Sequence, residues 1–376
     1  MRTDRYRVIL WGPGYTGLQA LREMARRPEL ELVGCLGYNS AKAGRDVMEL
    51  AGLAPGGVAI TTDKEEIYGL DADIVLYAAR AMPDESARQE DMVRLLTSGK
   101  NVVTTTAYHF PWQRGDDYVI PLEKACAEGG TTLHGTGVHP GWFVERHVLT
   151  ASSLCTVVDS VHVREIVDIS HHAGEAIAGT GFGMTPERLG KKTRKMILSR
   201  YYFECIAGLS HTLGLEVDEM TASINYILSD RDMMCAGLPI AKGTVAVLDA
   251  TWTGLATGKP VIDIREIWHL AADLVPNDVK IVSPDMYEFE IKGLPLDVTG
   301  RVDMAVSDRH DVFGIDDMQS GGNLATAVQL VQTIPAVVAA EPGILLPPGF
   351  AYPARDLRSV TEPLSCRPSV IRETIL

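Results

Sequence analysis

An apolar run, Val8-Ile9-Leu10-Trp11, breaks directly into Gly12-Pro13-Gly14-Tyr15-Thr16-Gly17, and no other stretch of the chain constrains the fold as much. Behind it Leu18, Leu21 and Met24-Ala25 recur at helical spacing as far as Pro28, and a second apolar run covers Leu30 to Leu36. Strand, glycine turn, helix and strand within about thirty residues is the context in which G-x-G-x-x-G marks a dinucleotide-binding unit. Gly12 allows the tight turn, Gly14 lets a pyrophosphate approach the backbone, and Gly17 lets helix and strand pack closely. The phosphates would sit at the helix N-terminus over Pro13, Tyr15 and Thr16, where unpaired N–H groups and the helix dipole favour negative charge. The competing reading is a strand-to-helix turn that holds no ligand.

The rest of the first 145 residues alternates strand and helix. Ala43 to Leu53 reads as a weak helix, Val58 to Ile60 as a short strand, and Asp63 to Tyr68 as a helix opened by a capping aspartate. Strands follow at Asp73 to Ala78, Asn101 to Thr105 and Thr131 to His134, with helices at Pro83 to Gly99 and Asp116 to Glu128. Such alternation predicts a doubly wound parallel sheet. After Gly135-Thr136-Gly137 the texture changes. Val157 to Ile169 reads as one long strand, Pro186 to Leu213 and Val217 to Ile227 as helices, and Thr244 to Val306 as mostly strand. A hairpin is expected there, with Tyr287 to Lys292 and Asp297 to Ala305 around Gly293-Leu294-Pro295. The expected class is α/β: a Rossmann domain over 1–145, then an α+β domain with a mostly antiparallel sheet over 146–322. A last helix, Asn323 to Ala340, and an irregular tail make up 323–376 and pack back on the first domain.

A chain of 376 residues is long enough for two domains, each with a core. Its net charge of -14 argues against nucleic acid or an anionic membrane as partner. Six cysteines (35, 126, 155, 205, 235, 366) without a C-x-x-C pair make a poor disulfide or zinc framework, and the ten histidines form no H-E-x-x-H pattern. No metal is expected. No apolar stretch reaches bilayer length and Met1-Arg2-Thr3-Asp4-Arg5 leads into a strand, so a cytoplasmic location is expected.

An NAD site usually carries a carboxylate at the end of the second strand, for the ribose 2′-OH. Here that place reads Leu36-Gly37-Tyr38-Asn39-Ser40-Ala41-Lys42. Asn39, Ser40, Lys42 and Arg45 could hold a 2′-phosphate through hydroxyl and amide donors plus cations, so NADP(H) is expected ahead of NAD(H). The alternative leaves Lys42 and Arg45 as solvated residues at a helix start. Ala78, Ala79 and Arg80 end a central strand where the nicotinamide ribose would lie, and Thr104 and Gly137 end two further strands on the same carboxyl edge.

Several segments together resemble the dihydrodipicolinate-reductase-like proteins: Gly135-Thr136-Gly137-Val138-His139-Pro140-Gly141, Glu165-Ile166-Val167-Asp168, Gly183-Met184-Thr185-Pro186-Glu187, Gly243-Thr244-Val245-Ala246 and Ile334 to Gly343. Within that group the chain is similar to the 2,4-diaminopentanoate dehydrogenase and NAD(P)-dependent amine dehydrogenase branch, over roughly residues 6 to 345. The resemblance implies a Rossmann domain, an α+β dimerisation and substrate domain, and hydride transfer to or from a C–N carbon. Two departures stand out. His171-His172 is followed by Ala173-Gly174-Glu175-Ala176 and not by the lysine motif of the reductases proper. The loop after the fifth strand, where amine dehydrogenases of the family carry a glutamate that handles ammonia, reads Thr105 to Trp112 and has no carboxylate before Asp116.

Hydride transfer asks the protein for position, a proton source or sink, and exclusion of water. Tyr108 and His109, on the loop nearest the expected nicotinamide, are the candidate proton relays; the ordinary pKa of a histidine lies near working pH. Either could equally be a structural hydrogen-bonder. His139 and Trp142 follow the Gly-Thr-Gly turn, where a substrate pocket between domains is expected, although Trp142 could be core. His171 and His172 end the long strand facing opposite ways, so at most one meets substrate. Lys191, Lys192, Arg194 and Lys195 read as a solvated helix face. Glu165 could replace the missing loop carboxylate, but Arg164 and Asp168 beside it suggest ordinary surface charges. The expected function is a small-molecule oxidoreductase acting on C=N or C=O, working as a homodimer. Its rivals are a strict ammonia-incorporating amine dehydrogenase and a dinucleotide-binding sensor without catalysis.

Overall fold

The structure is a computed structural model that describes residues 5–79, 85–170, 177, 180–189, 201–306, 321–346 and 370–375. Two compact units make up the chain. One joins Met1–Trp142 with Val312–Gly314 and Asn323–Pro348; the other joins Phe143–Asp311 with Ile315–Gly322 and Gly349–Leu376.

In the first unit the order is β1 (Tyr6–Trp11), α1 (Tyr15–Met24), β2 (Leu30–Leu36), α2 (Val47–Leu50), β3 (Ile60–Thr61), α3 (Lys64–Gly69), β4 (Ile74–Tyr77), α4 (Glu85–Thr97), β5 (Asn101–Thr104), α5 (Asp116–Gly129) and β6 (Thr132–Gly135). The strands lie side by side as β6-β5-β4-β1-β2-β3, with Gly343–Ile344 added beyond β6, and every pairing is parallel. Strands buried on both faces need near-continuous apolar runs, which is why Val8 to Trp11 shows no polar residue. Val8, Leu10, Ile74, Leu76 and Val103 pack on α1 and on Leu330, Ile334 and Val337. Ile9, Trp11, Val75, Tyr77 and Val102 pack on Met92 and Leu95 of α4 and Leu122 of α5.

Local differences from expectation have local causes. The weak helix over Ala43 to Leu53 shrinks to a 3-10 turn, Ser40–Lys42, and the short α2. The Asp46 carboxylate accepts from the N–H groups of Met48, Glu49, Gly56 and Gly57, holding the segment as a loop around one hub. The last helix is two, Gly321–Gln332 and Ile334–Val338, because Pro335 restarts it in its first turn.

In the second unit the described elements are α6 (Leu149–Ser152), β7 (Val157–Asp168), α7 (Tyr201–Leu213), β8 (Glu219–Leu228), β9 (Met233–Cys235), β10 (Leu238–Ile240), β11 (Val245–Ala256), β12 (Lys259–His269), β13 (Asp285–Leu294) and β14 (Val298–Met304). The large sheet runs β14-β13-β7-β12-β11-β8, then Arg372–Ile375. Only β7 with β12, and β8 with the last strand, pair in parallel. The segment expected as a helix over Val217 to Ile227 is the strand β8, Glu219–Leu228, instead. Its Val217, Met220, Ile224 and Ile227 mimic helical spacing, yet β11 pairs along its length and buries Met220 and Ala222. The tail also departs from expectation, since its last described residues form a strand of this second sheet.

Candidate functional site

The glycine turn has the geometry that its three glycines require. Gly12 has φ of 101°, and a Cβ there would stand 2.7 Å from the Cα and N of Ala79, so β1 and β4 meet where only hydrogen fits. A Cβ on Gly17 would stand 2.3 Å from the Gly12 carbonyl oxygen. Gly14 is different: nothing lies within 4 Å of the Cβ it lacks. It is also the N-cap of α1, without a capping side chain and without an acid in the first turn. Open space before uncapped N–H groups suits a pyrophosphate, so these residues fit the phosphates of a dinucleotide.

The segment after β2 turns back on this loop. Asn39 accepts from the Ala41 N–H and caps the 3-10 turn, which spends its carbonyl oxygen. Lys42 thereby reaches the Pro13 carbonyl, with Nζ 3.4 Å from the oxygen. Ser40 and Arg45 are exposed on the same short segment. No carboxylate stands between Leu36 and Lys42.

The other strand ends gather along the same edge. The Ala78 N–H donates to the Trp11 carbonyl, and the Thr136 N–H donates to the Thr104 carbonyl. Thr104 and Thr106 share a hydrogen bond between their hydroxyls at 2.8 Å. Beyond β6, Gly137 and Gly141 take φ of 154° and 127°, the His139-Pro140 peptide is cis, and the Trp142 N–H closes on the Gly137 carbonyl at 2.9 Å. His139 and Trp142 are half-buried on this turn. Arg80, His171, His172 and the basic run 191–195 lie outside the described residues.

Both expected proton relays are buried, and Tyr108 is turned into the helix layer. Ala107 and Tyr108 have positive φ, 49° and 69°, which drives the Tyr108 ring, wholly buried, into the layer between α4 and α5. There it stacks on Tyr118 at 5.9 Å, has the Arg88 and Arg114 guanidiniums each 5.8 Å from its centroid, and directs its hydroxyl to Gln89 at 3.4 Å. Burial and Tyr118 push that hydroxyl well above the ordinary tyrosine range. His109, 3% exposed, lies on the edge loop, whose backbone crosses Gly135 so closely that a Cβ there would stand 2.8 Å from the His109 nitrogen. Arg88 and Arg114 share the Glu85 carboxylate, a pairing that no sequence motif announced.

In the second unit Glu165 is not a surface charge. It is 4% exposed and sits in register with Glu266 of β12, itself 8% exposed. The Tyr202 hydroxyl and the Trp268 Nε1–H donate to its two oxygens at 3.3 and 3.1 Å. Burial first, and the Glu165 charge second, push the Glu266 carboxyl up to about 8. The signal was available: Val161, Val163, Glu165 and Val167 share one parity, while His162 and Arg164 share the other. No group of three or more metal-ligating side chains occurs among the described residues. No described helix is long and apolar enough to cross a membrane.

The family model for the 2,4-diaminopentanoate dehydrogenase C-terminal domain matches residues 142–354, more than half of the chain. An amine dehydrogenase of Streptomyces virginiae is 27% identical over 351 residues, covering 90% of this chain and 94% of that protein. A 2,4-diaminopentanoate dehydrogenase of Acetoanaerobium sticklandii is 20% identical over 349 residues, covering 91% of this chain and 92% of that protein. Among solved structures, an amine dehydrogenase from Mycobacterium smegmatis shares the fold with a TM-score of 0.75 at 20% identity, over 91% of this chain and 95% of that one.

Proposed function

The chain belongs to the 2,4-diaminopentanoate dehydrogenase C-terminal domain family, and from that premise we propose a dehydrogenase dependent on a nicotinamide dinucleotide. It moves hydride to or from the carbon of a C–N bond in a small organic amine or imine. The observation that carries this reading is the open space at Gly14 before the uncapped α1, on a chain that continues into this family's C-terminal domain. A bound nicotinamide supplies or takes the hydride; the protein supplies position, a proton route and exclusion of water. Gly12 to Gly17 hold the pyrophosphate, while Ala78, Ala79, Thr104 and Gly137 line the nicotinamide ribose, with Arg80 added on sequence grounds alone. His109 moves the proton, because the Tyr108 hydroxyl is spent on Gln89 in the core. His139 and Trp142 contact substrate, and one of His171 and His172 joins them on sequence grounds alone.

NADP(H) is the preferred cofactor. Support comes from the missing carboxylate after β2, the Lys42 ammonium beside the phosphate loop, and the exposed Ser40 and Arg45. The working form is a homodimer joined through the second sheet. The cell's reducing cytoplasm suits the five described cysteines, all buried free thiols. One observation favours a second reading: Thr105 to Trp112 offer no carboxylate for ammonia, which fits a reductase of preformed imines or of carbonyls.

The test is NADPH and NADH oxidation by absorbance against ketones and aldehydes, with and without ammonium. Turnover only with ammonium identifies an amine dehydrogenase, and turnover without it identifies the reductase. Failure of NADPH and NADH to bind at all would overturn the reading.

A further inference from the structure

The rim of the first sheet carries one more aromatic ring, Tyr38. Tyr38, two residues beyond β2, is 48% exposed, whereas Trp11 and Tyr77 beneath it are buried. An exposed ring is ordinarily free to swing; this one is clamped by its edge. Its hydroxyl accepts from the Trp11 Nε1–H at 2.9 Å, and Trp11 in turn stacks on Tyr77 with 5.5 Å between centroids and 23° between planes. Lys64, tied to Asp91 at 2.6 Å, holds its ammonium 6.0 Å from the Tyr38 centroid. The ring therefore stands as a fixed plate. Four residues later Lys42 reaches the Pro13 carbonyl at 3.4 Å, so the plate and the phosphate loop occupy the same rim.

We infer that the exposed face of Tyr38 is the stacking platform for the adenine base of the dinucleotide. This rests on the reading that a dinucleotide binds at Gly14. A purine presents a π-face that stacks on aromatic rings whatever its edge carries, and a ring already held in place loses little freedom when covered. The Tyr38 hydroxyl lies at the ring's edge, where it accepts from the Trp11 Nε1–H. A base stacked on the ring meets its face, so recognition rests on the face and not on a hydrogen bond to the base edge. Replacing adenine by hypoxanthine is therefore tolerated, while removing the base is not.

Calorimetric titrations of the full chain with adenosine 2′,5′-bisphosphate, its hypoxanthine analogue, base-free ribose 2,5-bisphosphate and reduced nicotinamide mononucleotide test this. In the wild type the hypoxanthine ligand should bind within about threefold of the adenine ligand, and the base-free ligand at least about tenfold more weakly. Tyr38→Ala should weaken the adenine ligand about tenfold and leave the mononucleotide unchanged; Tyr38→Trp should retain affinity. Equal affinity of the base-free and adenine ligands in the wild type would overturn the platform without recourse to any variant. So would equal affinity of the adenine ligand for wild type and Tyr38→Ala. If NADPH still binds in that case, the cofactor site stands and only the platform falls. If neither NADPH nor NADH binds the wild type, both fall together.

Discussion

Gly14→Ala separates a glycine kept for binding from glycines kept for folding. Gly14 has φ of -89° and ψ of -165°, an extended conformation open to any residue, and its added methyl would meet nothing within 4 Å. The methyl therefore costs no packing, and restricting the unfolded chain stabilises by about 0.4–1 kcal/mol. For a unit of this size that is a rise of at most about 4 °C in Tm. Gly17→Ala is the contrast, because its Cβ would stand 2.3 Å from a backbone oxygen; overpacking of that kind costs about 1–3 kcal/mol. Gly12→Ala adds a strained φ, another 1–3 kcal/mol or so, to contacts of 2.7 Å with Ala79. Ligand binding reverses the order. In Gly14→Ala the methyl occupies the space through which the pyrophosphate must approach the α1 N–H groups, so NADPH affinity should fall at least tenfold, about 1.4 kcal/mol. Thermal melts with and without NADPH read both quantities, since saturating ligand at one hundred times Kd stabilises the wild type by about 2.7 kcal/mol. A Gly14→Ala chain that melts like wild type and binds NADPH like wild type would refute the reasoning. The motif would then be a turn and nothing more.

Other perturbations test other parts of the site. Lys42→Ala should weaken NADPH about tenfold and NADH much less, a split that titration of both cofactors reads directly; equal losses would remove the 2′-phosphate assignment. His109→Asn should lower kcat by about a hundredfold or more. Tyr108→Phe should leave kcat within about threefold, and a large loss there would reverse the two assignments. Glu266→Gln should alter how stability depends on pH. With the carboxyl pushed up to about 8 in the folded chain against 4.5 ordinarily, the native state keeps a proton that the unfolded state releases. This contribution is complete at low pH and fades as pH rises towards 8, by at most about 1.4 kcal/mol per pH unit. Urea denaturation between about pH 5 and pH 9 should show that slope in the wild type and a flatter profile in the variant.

The first unit was legible because its elements report themselves locally. A strand buried on both faces must be an apolar run, a helix that returns over it must repeat every three to four residues, and Gly12, Gly14 and Gly17 fix the junction. The second unit hid one element for an equally physical reason. Val217, Met220, Ile224 and Ile227 satisfy a helical period, while Met220, Ala222 and Ile224 satisfy a strand period. Ten residues of local sequence do not decide between them. The partner decides: β11 runs alongside from Glu219 to Leu228 and turns an ambiguous pattern into strand.

The site followed the same division. Backbone features at strand ends were readable, because sheet topology dictates where the ends meet. Side-chain direction was not, and three residues show why. Tyr108 sits on an edge loop by sequence, but two consecutive positive φ values send its ring into the helix layer. Positive φ at a non-glycine residue has no sequence signature strong enough to foresee. Nothing in the sequence sets Tyr38 apart from the polar residues that follow it; only the meeting of β1 and β2 brings the Trp11 Nε1–H within reach of its hydroxyl. Glu165 is the opposite case, since its parity with Val163 and Val167 places it inward from sequence alone. Chemical habit, which puts charges outside, overrode a geometric rule that does not know what a side chain carries. Where parity and polarity conflict in a strand, parity is the stronger guide, because a strand cannot turn one side chain outward without turning its neighbours inward. A polar residue on the buried face then marks a place where the fold has had to supply partners, as Tyr202 and Trp268 do here.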